Sequence, residues 1–254
     1  MKKKRMNFLI TSIGSRVELI QMLKKTLSDM DINGFIMGAD ISHNAPALYF
    51  CDKQHIVPRC DKKEFIKRIL EIAVDEKIDL IVPTIDTELP YLALSRKMIE
   101  KSSDAVLMVS DYKIIEIFES KKKSYEFFKN AGLKTPKMYD KTGDDMSFPL
   151  IIKPERGSAG KGIYIVKNKE ELNYHIKYLE PEVIQEFIEG DEITVDVFTD
   201  FDGKLLSLCM RKRIKIKGGE VLIGETVYHE SIKKEIENLC EKIKFRGGIT
   251  IQLI

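Results

Sequence analysis

The sequence predicts a mostly parallel α/β domain followed by a strand-rich α+β domain. Three observations carry this. Short apolar runs alternate with helical patterns through the first part of the chain, strands dominate from about residue 149, and the texture changes near residues 110–120.

The first domain opens with a strand at 7–11 (NFLIT). Val17, Ile20, Leu23 and Leu27 then repeat at helical spacing. Further strands read at 34–39 (GFIMGA), 54–58 (QHIVP), 78–86 (IDLIVPTID) and 105–110 (AVLMVS). Between them, Phe65, Ile66, Ile69, Leu70 and Ala73 form one helical stripe over 62–76, and a helix runs on to about residue 100. Parallel strands joined this way place helices on both faces of a sheet. The turn after the first strand, TSIGSR, holds one glycine and lacks the GxGxxG dinucleotide fingerprint. Asp86 and Glu88 follow the carboxyl end of the fourth strand, where open α/β sheets place ligand-facing groups. They serve equally as acidic groups at a helix N-terminus, and the residues leave both readings open.

From residue 111 two helices read at 111–118 and 121–131, the second stopping at Gly132 with Pro136 beyond. Strands follow at 149–153, 163–167, 183–188, 192–199 and 204–217, with helices at 169–179 and 231–244.

A formal net charge of +2 argues against bulk nucleic-acid binding. The basic start, MKKKRMNFLI, resembles a signal n-region, but Thr11, Ser12 and Gly14 break the apolar run too early, so Lys2 to Arg5 are expected to be a solvated tail. No stretch has the apolar length that spans a bilayer. Cys51, Cys60, Cys209 and Cys240 have neither CxxC nor zinc-finger spacing, so reduced, mostly buried thiols in a cytoplasmic protein are expected.

The segment FPLIIKPERGSAGKGIYIV (148–166) puts Lys153 on the strand face of Ile151, before a loop with Gly157, Gly160 and Gly162. Glycines let backbone N–H groups approach a phosphate, and the ammonium supplies charge; Ser158 adds a hydroxyl and Lys161 a second cation. A hairpin that needs positive φ explains the glycines as well. GxxxxGK[ST] is absent, so this is not a P-loop. Downstream, Glu192, Thr194, Asp196 and Phe198 share one strand face, with Ile193, Val195 and Val197 on the other. In the next strand Arg211, Arg213, Lys215 and Lys217 share a face, with Leu206, Leu208, Met210, Ile214 and Ile216 opposite and Lys212 the lone exception among them. Such a cationic row either guards an exposed edge strand or receives phosphates.

Together these segments resemble the ATP-grasp superfamily, most nearly the ligases related to the large subunit of carbamoyl-phosphate synthase, over essentially the whole chain. VPTIDTELPYLAL resembles the end of the pre-ATP-grasp domain, and ESKKKSYEFFKNAGLKTPK the lysine-bearing helix. PLIIKPERGSAGKGI resembles the second lysine with its phosphate-covering loop, and VIQEFIEGDEITVDVF the adenine hinge and ribose-binding glutamate. The resemblance implies a Rossmann-like pre-ATP-grasp domain at 1–112. It also implies an ATP-grasp small subdomain at 113–182 and a large subdomain at 183–254 that lacks its last strands.

The implied cofactors are ATP and Mg²⁺. Lys121 is implied to touch the nucleotide phosphates, with Ser120 standing where the family more often has Asp, and Lys153 the α- and β-phosphates. Gly157, Ser158, Gly160, Lys161 and Gly162 would close over the triphosphate. Gln185, Glu186, Phe187 and Ile188 would line the adenine edge, and Glu192 would hold the ribose. Arg213 and Lys217 would face the γ-phosphate or the acid, and Gln252 would be a metal ligand.

The implied chemistry is attack of a small carboxylate on the γ-phosphate, then displacement of phosphate by an amine or other nucleophile. The family's Glu-x-Asn-Pro-Arg strand is absent from the 254 residues. The expectation is therefore a truncated ligase with weak or absent turnover. The alternatives are a non-catalytic nucleotide-binding or regulatory module, or one half of a split enzyme completed by a second copy or a second polypeptide. Neither nucleic acid nor membrane is an expected partner.

Overall fold

The computed structural model describes residues 5–141, 145–157, 162–179, 183–217 and 220–254. It forms two compact units, 1–112 and 113–254.

The first unit contains β1 (Phe8–Thr11), α1 (Val17–Asp29), β2 (Ile36–Asp40), β3 (Lys53–Ile56), α2 (Glu64–Asp75), β4 (Leu80–Pro83), α3 (Leu89–Ser103) and β5 (Val106–Leu107). Its sheet has the order β3-β2-β1-β4-β5, and every pairing is parallel. Each residue of β1 and β2 is buried, as expected where helices cover both faces of a sheet. Ile10, Ile13, Ile20, Leu27, Ile36 and Leu48 belong to one of its apolar clusters. Each such side chain, fully buried, contributes about 1.5–3 kcal/mol. The strands predicted at 54–58, 78–86 and 105–110 are shorter in the structure, because their ends lead into turns.

The second unit holds α4 (Tyr112–Glu119), α5 (Lys121–Asn130), β6 (Met138–Tyr139), β7 (Leu150–Lys153), β8 (Tyr164–Val166), α6 (Lys169–Leu179), β9 (Val183–Glu186), β10 (Ile193–Thr199), β11 (Leu205–Lys217), β12 (Glu220–Val227), α7 (Glu230–Lys242) and β13 (Gly247–Leu253). They build a small sheet, β6-β9-β7-β8, and a large sheet, β12-β11-β10-β13. In the small sheet Leu150, Ile152, Val166 and Ile184 form a core with Leu172 of α6. In the large sheet Val195, Val197 and Met210 pack with Ile236, Leu239 and Cys240 of α7.

Several expectations are corrected. The strand at 183–186 pairs with β6 and β7, so it belongs to the small sheet rather than to a large subdomain starting at 183. Phe118, Phe127 and Phe128, expected in the small subdomain, pack on the large-sheet core. β11 lies between β10 and β12, so its cations do not guard an edge. Its pairing register shifts between Arg213 and Lys215 and again before Ile216. Each such irregularity breaks strict alternation. Ile214 and Ile216 are therefore 56% and 45% exposed instead of facing the core, and Leu206 at another register shift is 56% exposed. Of the cysteines, which are all free, only Cys240 is buried; Cys51 and Cys60 are half-buried and Cys209 is exposed.

Candidate functional site

The small sheet presents one open face. Met138, Gln185, Ile151 and Ile165 are paired in register across β6, β9, β7 and β8, and so share that face. Ile165 is 49% exposed, whereas the opposite face is sealed by α6. Lys153 ends β7 on the same open face. Its Nζ donates to Gln185 Oε1 at 2.7 Å, and Gln185 Nε2 donates to Pro136 O at 3.0 Å. An ammonium needs an oxygen and a carbonyl needs an N–H, so this pair of contacts fixes the orientation of the buried amide. Burial lowers the Lys153 pKa from its ordinary value, and the Lys121 cation lowers it further.

Lys121 opens α5. Ser120 caps the helix, its Oγ accepting from Lys123 N at 3.2 Å, as short hydroxyl residues do at this position. Of the adjacent lysines, Lys121 reaches the glycine loop, its Nζ donating to Gly157 O at 3.1 Å. Lys122 lies 3.6 Å from Glu155, and Lys123 lies 2.7 Å from Glu116. The Lys121 ammonium thus sits at the loop backbone, near enough to Lys153 for its charge to be felt there. The loop is also a hairpin connection between antiparallel strands, and Gly157 and Gly162 adopt φ of +114° and +73°, a region that favours glycine. Ser158, Gly160 and Lys161 lie outside the described residues, as does the side chain of Lys217.

The large sheet collects a second group. Arg213, 7% exposed at its side chain, lies 3.1 Å from Glu192, and Arg213 N donates to Glu192 O at 2.9 Å. Arg211 donates through Nε to Asp196 Oδ2 at 2.7 Å, and Thr250 Oγ1 donates to Asp196 Oδ1 at 3.2 Å. Gln252 is exposed and pairs with Thr194 on the same face as Asp196. Glu186 Oε1 accepts from Lys137 N at 2.7 Å, Phe187 N donates to Pro149 O at 3.3 Å, and Ile188 is 37% exposed.

In the first unit, Glu88 is completely buried and faces no open ligand site. Its carboxylate accepts from Thr11 Oγ1 at 2.9 Å, Ser12 Oγ at 2.8 Å and Thr84 N at 3.0 Å, tying the ends of β1 and β4 together. Burial raises its pKa, opposed by those hydrogen bonds. Asp86 is exposed.

The residues present fit a polyphosphate: a half-buried ammonium, a second cation at the loop backbone and a glycine loop. They fit a protein-built magnesium cage poorly. Gln252 offers a neutral oxygen, Asp196 is held by Arg211, and no group of three or more His, Cys, Asp or Glu converges among the described residues.

The chain is thus a parallel α/β unit followed by a unit of two antiparallel sheets, with Lys121 at a glycine loop and Lys153 on the strand that leads into it. Residues 118–254, more than half of the chain, match the ATP-grasp domain, and the chain belongs to that family. Residues 8–107 match the PylC-like N-terminal domain. The chain is 24% identical to a carbamoyl-phosphate synthase of Methanobrevibacter smithii over 146 residues, covering 54% of this chain and 40% of that protein. It is 30% identical to a D-alanine–D-alanine ligase of Bacillus anthracis over 199 residues, covering 69% of this chain and 62% of that protein. The chain spans about half the length of the curated relatives it matches.

Among solved structures, N5-carboxyaminoimidazole synthetase from Staphylococcus aureus complexed with ADP has a TM-score of 0.72 at 17% identity, covering 98% of this chain and 66% of that one. The L-amino acid ligase from Bacillus licheniformis has a TM-score of 0.71 at 18% identity, covering 99% and 64%. No helix among the described residues is long and apolar enough to cross a membrane.

Proposed function

We propose that this chain carries the nucleotide site of an ATP-dependent ligase that activates a small carboxylate as an acylphosphate, for transfer to an amine or another nucleophile. The observation that carries the reading is the placement of Lys121 Nζ on the glycine-loop backbone together with a half-buried Lys153 on the strand that leads into that loop. Family membership and relatives named as D-alanine–D-alanine ligases support it.

In this reading the base lies against Ile151 and Ile165, near the hinge formed by Glu186, Phe187 and Ile188. Lys153 and Lys121 hold the phosphates, while Gly157 and Gly162 let the loop backbone turn beside them. Glu192 holds the ribose, and Arg213 faces the γ-phosphate or the acid. Gln185 positions the Lys153 ammonium by its 2.7 Å contact. Phosphoryl transfer depends on placing and neutralising charge, and these cations supply both. Mg²⁺ would supply positive charge against the phosphates, and Gln252 would offer one neutral oxygen toward it. A cytoplasmic, reduced setting and assembly with a second copy or another polypeptide belong to the same reading.

Phosphate release from MgATP, measured across a panel of small acids with and without amines, tests the reaction. Acid-dependent release that is lost in Lys153→Ala supports it. Acid-independent release at the same rate in that variant contradicts it.

A further inference from the structure

Helix α5 has two sets of neighbours. From its second half, Phe127 and Phe128 contact Phe118 at ring-centroid distances of 5.4 and 5.8 Å and pack on the large-sheet core. Its first turn meets the residues that follow β7 in the small sheet. Lys121 N donates to Glu155 O at 3.1 Å, and Lys121 Nζ lies 3.4 Å from the same oxygen. The hydroxyl of Ser120, a fully buried residue, donates to Glu155 Oε1, while Lys122 Nζ lies 3.6 Å from Glu155 Oε2. Glu155 therefore grips α5 with its main-chain carbonyl and both carboxylate oxygens. In sequence it stands midway between Lys153 and Gly157.

Capping does not account for this. Ser120 already caps the helix through Lys123 N, so the cap is complete without the Glu155 carboxylate. What the carboxylate adds is attachment of the loop root to a helix that is itself anchored in the large sheet.

We propose that Glu155 is a positioning residue, a latch that ties the glycine-loop root of the small sheet to α5 and so sets the spacing of Lys121 and Lys153. The inference rests on reading those lysines as the phosphate grip. Like charges held close repel one another, so an unlatched loop lets them drift apart before the nucleotide arrives. Holding them in place beforehand removes that cost from binding.

The test uses Glu155→Ala, Glu155→Gln and Ser120→Ala with two measurements. Calorimetric titration with MgADP gives affinity. Glu155→Ala should bind about tenfold more weakly or worse, with Glu155→Gln between it and wild type because Gln keeps an acceptor for Ser120. Trypsin cleavage at the exposed Arg156–Gly157 bond, followed by mass spectrometry without nucleotide, gives loop release. Cleavage should be faster in Glu155→Ala at an unchanged global Tm, and faster in Ser120→Ala, which also loses the helix cap and with it some Tm. Ser120→Ala leaves the sequence around the cleaved bond intact, so its rate reports opening rather than protease preference.

Wild-type affinity in Glu155→Ala overturns the latch. If wild type binds no MgADP, the nucleotide reading fails and proteolysis decides the latch alone: faster cleavage in Ser120→Ala supports it, and equal rates overturn it. Should Glu155→Ala not fold, Glu155→Gln and Ser120→Ala give the same two answers.

Discussion

Lys153 and Gln185, on neighbouring strands of the small sheet, meet at 2.7 Å, and the amide that holds the ammonium is itself held by Pro136. The contact orients a cation that has been partly withdrawn from water. Gln185→Leu removes the acceptor and leaves the amine unpaired within a half-buried setting, at a cost of about 1–3 kcal/mol. Chemical denaturation should show this loss, and the same variant should bind nucleotide more weakly than wild type. Unchanged stability together with unchanged binding would show that the amide does not position the lysine.

Burial, and then the Lys121 cation, lower the Lys153 pKa. Between the lowered folded value and the ordinary unfolded value the unfolded chain binds more protons, so stability rises with pH across that window. Below it the folded protein carries an unfavourable buried charge, which nucleotide phosphates relieve. The acylation rate of Lys153 against pH, read by mass spectrometry, should have its midpoint below the usual lysine range. Saturating nucleotide should suppress the reaction. A midpoint typical of exposed lysines would show that the amine is fully hydrated.

Glu88 gives the opposite slope. Burial raises its carboxyl pKa, so between the unfolded and folded values the folded chain holds more protons. Its contribution is fully present below the unfolded pKa and declines as pH rises through the folded one. Glu88→Gln should flatten that part of the stability profile, and parallel profiles for the two proteins would contradict it. Glu88→Leu strips the acceptor from Thr11, Ser12 and Thr84 N and should cost roughly 1–3 kcal/mol or more.

Arg213 and Glu192 form an unequal pair, 7% and 46% exposed. Loss of Glu192 removes one partner of a nearly buried guanidinium, while the exposure of Glu192 moderates the loss. Glu192→Ala should destabilise by about 1–3 kcal/mol, below the full penalty for a wholly buried pair. In a double-mutant cycle with Arg213→Met, the two losses should be less than additive. Strict additivity would show that the pair does not couple.

The parallel unit was legible in the sequence because its strands are continuous apolar runs separated by helical stripes. The lysine, loop and hinge segments of the second unit were legible as a series, which carried the resemblance. β6 was not, since two residues after Pro136 give no period to read. β12 was also missed: Glu220, Gly224 and Glu225 interrupt its apolar pattern, although the Gly218–Gly219 pair between two runs is a hairpin signal. Strict alternation misplaced Ile214 and Ile216, because register shifts come from pairing with β12 and not from local spacing. Ser120, Glu155 and the stapling role of Glu88 depend on partners 35 to 77 residues away, which no local pattern announces.

The central claim is that the chain grips a nucleoside triphosphate through Lys153. Calorimetric titration of wild type and Lys153→Met with a non-hydrolysable ATP analogue and Mg²⁺ tests it most directly. The account predicts saturable binding of one nucleotide per wild-type chain, weakened at least about tenfold, or about 1.4 kcal/mol, in the variant. Equal affinity in the two proteins, or no binding by wild type, would contradict it.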